Sequence, residues 1–220
     1  MPVMTSAAAP TPGPVTADDV TEAVRLSIAA LREAPEDGWD APAGDLTWTC
    51  WQTAEHLADD LFAYALQLGP ERPPLTTHVP VTWHREHPGG PASTIFVERK
   101  EGTAGLLQVL DGCGALLAAM VRVTAPEVRA HHVFGAADPE GFAAMGVVET
   151  LVHVHDITAG LGLPPFTPPP ALCARTLHRL FPGAPADTGP WPALLWSTGR
   201  IALQDRPRQE KWRWYGEPRG

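Results

Sequence analysis

Apolar residues recur at helical spacing in four long segments. The first follows Thr16, a side chain suited to capping a helix, with Asp18 and Asp19 in the positive first turn. Val20, Val24, Ile28 and Leu31 then form one stripe, which predicts a helix over 17–34 ended by Pro35. Leu57, Leu61, Ala65 and Leu68 predict a second helix over 51–68, stopped by Gly69-Pro70. A third is predicted over 104–123 and a fourth over 139–159. In the fourth, Pro139 follows Asp138 at a favourable first-turn position, and Gly160 and Gly162 stand beyond. Between the second and third helices the period changes. Residues 79–84 and 94–97 read as short strands, a hairpin joined by the Pro/Gly loop at 88–91. Shorter helices are expected at 170–180 and 192–200, before an irregular Trp-rich end.

Four long helices with a long crossover between the second and third predict an all-α fold, a four-helix bundle. The reading is of one domain over 17–220, with the bundle at about 17–162 and a helical or irregular C-terminal cap at about 163–220. Residues 1–16, rich in Ala, Pro and Thr and lacking a basic start or apolar run, read as a disordered leader.

Composition sharpens this picture. Gly and Pro number 20 and 25 in 220 residues, roughly twice the usual share together, which requires long loops. The net charge of −9 argues against nucleic acid or an anionic membrane as partner. The longest uninterrupted apolar stretch, 115–121, falls short of a membrane span. A cytoplasmic location with reduced thiols is expected. The lysines are only Lys100 and Lys211, a usage that fits a GC-rich bacterial genome. Cys50, Cys113 and Cys173 form no CxxC pair, so any metal falls to the nine histidines and the carboxylates. Cys113, between two glycines, reads as a small residue at a close helix contact.

The fourth helix carries the most chemistry. At about 100° per residue, Glu149, His153 and Asp156 fall within an arc of roughly 60° beside the apolar face. A buried carboxylate needs a cation, hydrogen bonds or a metal to compensate it. On the second helix, His56 stands one turn before Asp60 beside the leucine stripe. If these helices pack together, His56, Glu149 and His153 converge. Two imidazoles and a carboxylate suit a catalytic zinc site or a ferrous facial triad. A Glu-x-x-x-His pair is also common as a plain helix-surface or core pair, so spacing leaves the metal open.

Four stretches, WQTAEHLADD, AMGVVETLVHVHDITAGLGL, STGR and the terminal WRW, resemble the DinB-like superfamily, in the branch containing mycothiol-dependent maleylpyruvate isomerase. The resemblance spans most of the chain after the leader. It implies a four-helix bundle holding a divalent metal, usually zinc, through His56, Glu149 and His153. It also favours zinc over iron and suggests mycothiol as co-substrate. The chain departs from that branch in its short Pro- and Trp-rich end, and the reaction does not follow from the fold.

The leading expectation is therefore a zinc-dependent enzyme that activates a low-molecular-weight thiol for transfer to, or isomerisation of, a small electrophile. The alternatives are a metal-dependent hydrolase and a non-catalytic bundle that binds a small ligand or forms a homodimer. Asp156 is expected to orient a ligand imidazole such as His56, or else to cap or pack the helix; Asp60 is a second candidate for the orienting role. Arg200 is expected to pair with a substrate carboxylate or serve as a helix-end charge. His131 or His132, but not both, is expected to face the site as general acid or base. His155 reads as structural, and some of the eight tryptophans as an apolar wall over the pocket.

Overall fold

The structure, a computed structural model, describes residues 11–219. Among them lie six α-helices: α1 (Ala17–Leu31), α2 (Cys50–Leu68), α3 (Gly102–Val123), α4 (Pro139–Gly160), α5 (Pro170–Leu180) and α6 (Pro190–Ser197). A single 3-10 turn, Arg99–Glu101, leads into α3. The fold is all-α. Helices α1 to α4 pack into a bundle, α5 lies against α4, and α6 lies against α5.

The starts of the helices follow local chemistry. Thr16 and Asp19 form a capping box on α1, with Asp19 Oδ2 accepting the Thr16 N–H at 2.8 Å. Thr49 and Gln52 form the same box on α2. Asp138 caps α4 by accepting the Gly141 N–H at 2.7 Å, and Pro139 takes the first turn, where its missing N–H costs nothing. Because α4 touches α1, α2 and α3 on one side and α5 on the other, almost all of its length is buried.

The hairpin expected at 79–97 reduces to one antiparallel bridge, between His84 and Ser93. Strand formation is pre-empted by side chains of α2. Asp59 Oδ1 accepts the N–H groups of Thr94 and Ile95 at 2.7 and 2.8 Å, and Glu55 Oε1 accepts that of Val97 at 2.8 Å. Gln67 accepts the Val79 N–H and donates to the carbonyls of Pro74 and Thr77. The crossover is thus laid along α2, with carboxylates and an amide taking the place of a partner strand.

The expected leader is also corrected at its end. Val15 is buried, and its N–H donates to Glu140 Oε1 at 3.2 Å. The rest of that expectation, residues 1–10, lies outside the described residues. Helix α1 ends at Leu31 rather than at 34, and α6 begins at Pro190 and ends at Ser197.

By length and composition the continuous helical stretch Arg99–Val123 suffices to cross a membrane, although its longest unbroken apolar run is short. In the bundle it packs on α1 and α2 and buries Leu106, Leu110 and Leu117 completely.

The chain after α6 folds back over the bundle. Arg179, on α5, donates to the carbonyls of Tyr215, Gly216 and Glu217 and pairs with Asp138 at 2.8 Å. This clamp holds the tail, where Trp212 lines a cleft with His56 of α2 and Glu149 and His153 of α4, and Trp214 packs beside His132 and Phe134.

Candidate metal centre

The site grows from the contact of α2 with α4. Leu57 and Leu61 on one helix and Val148, Leu151 and Val152 on the other are buried, which turns the adjoining polar stripes toward each other. On α2 the stripe is His56, Asp60 and Tyr64, at successive turns. On α4 it is Glu149, His153 and Asp156. The rings of His56 and His153 lie 5.4 Å apart, centroid to centroid.

One ligand atom each from His56, Asp60 and His153 lies within 4.8 Å of the others, so this cluster can hold a metal ion. Asp60 Oδ2 stands 3.3 Å from His56 Nε2, and Glu149 Oε2 stands 3.1 Å from His153 Nε2. The carboxylate that groups with both imidazoles in this geometry is Asp60, to which the sequence gave an orienting role, while Glu149, the carboxylate the sequence pointed to, stands beside His153. Glu149 remains beside the imidazole, on the same nitrogen that a metal would use.

The donors fit a cation. Asp60 Oδ2 is buried and lacks an aligned hydrogen-bond partner, a costly state for a carboxylate oxygen set between two imidazoles. Three carboxylates, those of Asp60, Glu149 and Asp156, meet there with one guanidinium, that of Arg200. A divalent ion on His and carboxylate ligands would balance that charge.

Burial and close neighbours set the protonation of these groups. Burial pushes His56 down to about 4, helped by the neighbouring His153. Burial opposes charge on His153 too, but hydrogen bonding to Asp156 and Glu149 outweighs it and brings His153 up to about 9. Asp60 is raised well above the usual carboxylate range, first by burial and then by Glu149. Burial would raise Glu149 and Asp156 as well; His153 holds both below the usual range, with help from Arg200.

Asp156 faces His153, with Oδ2 3.4 Å from Nδ1, and not His56 as expected. Arg200 Nη2 donates to the same carboxylate oxygen at 2.9 Å, and Nη1 donates to the Thr198 carbonyl at 3.0 Å. Its fork is thus engaged within the protein, while the residue itself lines the cleft beside the cluster.

Two cavities border the cluster. An open cleft of about 880 Å³ is lined by Trp48, His56, Glu149, His153, Arg200 and Trp212. Trp48 stands edge-on to His56 at 4.8 Å, so this tryptophan and Trp212 do form an apolar wall. A smaller cavity of about 270 Å³ opens on the other side of Asp60, lined in part by Tyr64, His78, His131 and His132. Both adjacent histidines line it, where only one was expected to face the site. The Nδ1 of His132 accepts the Phe134 N–H at 3.2 Å, and burial brings its pKa down to about 4, so it stays neutral. Tyr64 was missed by sequence reasoning; its signal was the four-residue spacing from His56 through Asp60.

His155 lies half-buried, edge-on to Trp191 at 5.8 Å and outside both cavities, as its structural reading implied. Cys50, Cys113 and Cys173 are buried and unpaired, and burial raises each thiol to between about 11 and about 12. Beside Cys113, Gly114 admits Val24 of α1 so closely that a Cβ would lie 2.6 Å from it.

Compared with known proteins, the chain matches no protein-family model, no curated protein and no solved structure.

Proposed function

We propose that the protein is a divalent-metal enzyme, with zinc the fitting ion. It activates a low-molecular-weight thiol such as mycothiol for transfer to, or isomerisation of, a small electrophile. The observation that carries this reading is the convergence of His56, Asp60 and His153 within 4.8 Å, with Asp60 Oδ2 buried and lacking an aligned hydrogen-bond partner. The resemblance of the α2 and α4 motifs to DinB-like proteins supports zinc and a thiol.

A bound zinc ion lowers the pKa of a thiol or water so that its anion forms near neutral pH. The chain supplies the rest. Asp156 Oδ2 faces His153 Nδ1 and sets the ring so that Nε2 points to the cluster, while Arg200 fixes Asp156. Glu149 Oε2, held ionised beside His153, can accept the proton that the thiol gives up. Trp48 and Trp212 give the cleft an apolar side, and its volume suits a sugar-bearing thiol, with Arg208, Gln209 and Glu210 as polar contacts.

A hydrolase is the second reading, favoured by one observation. With Asp60 completing the trio, Glu149 lies outside it and can serve as base toward water as readily as toward a thiol.

The test is metal analysis of the purified chain, followed by a thiol-transfer assay with mycothiol and an electrophilic fluorogenic acceptor. Stoichiometric zinc and turnover only with thiol are expected. No bound metal and no change in melting temperature on chelation would sink the metal reading. Turnover undiminished without thiol would replace the transferase with the hydrolase.

A further inference from the structure

The smaller cavity has a chemistry of its own. Its floor is apolar and aromatic: Phe142 is fully buried, and Tyr64 and His132 nearly so. His78, Trp83 and His131 form the rim, with Trp83 37% exposed. Neighbouring rings are steeply inclined, by 60° for Tyr64 with Phe142, 69° for Tyr64 with His132 and 85° for His78 with Trp83. Such rings box in a space rather than stack across it. At about 270 Å³ the space suits a compound of one ring or less.

The polar groups around it select further. Among the described residues lining the cavity none is Lys or Arg, while Asp59 and Asp60 both border it. An anion would meet carboxylates with no fixed cation to offset them. Asp59 and Gln67 are already engaged by the backbone of the crossover. His132 is not. Because its Nδ1 accepts the Phe134 N–H, the ring proton sits on Nε2, the nitrogen left for the cavity. His132 therefore offers a neutral N–H donor, the group that polarises a carbonyl without adding charge. The expectation of a general acid or base at His131 or His132 narrows here to a neutral N–H donor on His132.

We propose that this cavity binds a small, flat, uncharged carbonyl compound, with His132 Nε2–H donating to the carbonyl oxygen and the rings of Tyr64 and Phe142 enclosing its body. This deepens the proposed function by naming the class of electrophile presented beside Asp60; binding itself stands apart from that reading, and only the chemistry after binding rests on it. It also makes a dicarboxylate a poor ligand for this cavity.

Benzamide is the probe, with benzoate, benzylamine and toluene as its anionic, cationic and carbonyl-free counterparts. Affinities for the full chain are measured by ligand-observed NMR, before and after chelation, with Trp83→Ala to confirm the location. Benzamide is expected to bind most tightly, with and without metal. His132→Phe is expected to weaken it roughly three- to tenfold, the worth of one hydrogen bond, and His132→Gln, which keeps a donor, to restore most of the affinity. Benzoate or benzylamine binding as well as benzamide would overturn the proposal, as would an unchanged affinity in both His132 variants or in Trp83→Ala. Metal found with no benzamide bound defeats this inference alone. Benzamide bound by a chain that takes no metal defeats the metal reading alone.

Discussion

His153 Nδ1 lies 3.4 Å from Asp156 Oδ2, one turn further along α4, and the same oxygen accepts a hydrogen bond from Arg200. An imidazole between Asp156 on one nitrogen and Glu149 on the other has its orientation and its charge set by neighbours on its own helix. Sequence reasoning placed Asp156 behind His56; on the helix it is three residues from His153, and that proximity decides the pairing.

Replacing Asp156 by Asn should separate positioning from ligation. The isostere no longer holds the His153 proton by charge, so metal affinity is expected to fall about 10- to 100-fold in chelator competition. It also leaves Arg200 buried without its counter-charge, which should destabilise the fold by roughly 3 kcal/mol or more in urea unfolding. An Asp156→Asn protein with wild-type metal affinity would remove Asp156 from the site's support.

The helices were legible because their ends are chemical. Thr16, Pro139 and Pro170 stand at or beside helix starts, and apolar stripes run between start and stop. The crossover was not, because Val79–His84 and Thr94–Val97 have strand-like composition while their partners are side chains. Nothing local reveals that Glu55, Asp59 and Gln67 on α2 will take those N–H groups. His56, Glu149 and His153 were legible as neighbours from helical phase. Which carboxylate completes the trio depends on how far α2 is rotated against α4, a tertiary quantity set by Leu61 and Leu117 closing on Gly146. The pairing of Arg200 with Asp156 was not legible for the same reason, since the two are distant in sequence.

In the metal-free protein His56 and His153 should tie stability to pH with opposite signs. His56 is at about 4 in the folded chain against an unfolded value near 6.5, so the unfolded state takes up the proton first and stability falls as pH drops through that window. His153, at about 9, has the opposite sign. Its contribution is complete below 6.5 and is lost as pH rises toward 9. Glu55, Asp59 and Asp60, also raised by burial, contribute stability that is lost as pH rises from the ordinary carboxylate range through their raised values. Urea unfolding of chelated protein from pH 4.5 to 9.5 checks this. In His153→Gln the decline between 6.5 and 9 should largely vanish, and its persistence would show that the ring is not held charged.

Two glycines of α4 should respond differently to alanine. Helix propensity alone favours each substitution by about 1 kcal/mol. At Gly146 the new methyl meets the ends of Leu117 and Leu61, which can turn aside, so the net effect should be within about 1 kcal/mol of zero. At Gly160 it meets the carbonyl of Pro42, the Cα of Ala43 and the sulfur of Cys50, and backbone cannot turn aside. Gly160→Ala should therefore destabilise by about 1–3 kcal/mol in urea unfolding. It should also disturb the loop that carries Trp48 to the cleft, seen as a changed tryptophan emission.

The carboxylate within the trio and the one beside it can be told apart. Asp60 is bracketed by His56 and the small cavity, and its buried Oδ2 has no aligned partner, so a cation is what completes it. Glu149 already has one, the His153 Nε2 at 3.1 Å. Asp60→Asn should thus lose metal at least 10-fold more readily than wild type in chelator competition. Because this carboxyl is raised by burial, its neutral replacement should leave the metal-free fold as stable as before or more so. Glu149→Gln should keep most of the metal if Glu149 acts as base, and lose thiol turnover instead. It should also lower the His153 pKa in the metal-free chain, measurable by NMR titration of the ring, since Glu149 is one of the two groups that raise it. Loss of metal in Glu149→Gln with retention in Asp60→Asn would exchange the two roles and return the ligand set to His56, Glu149 and His153.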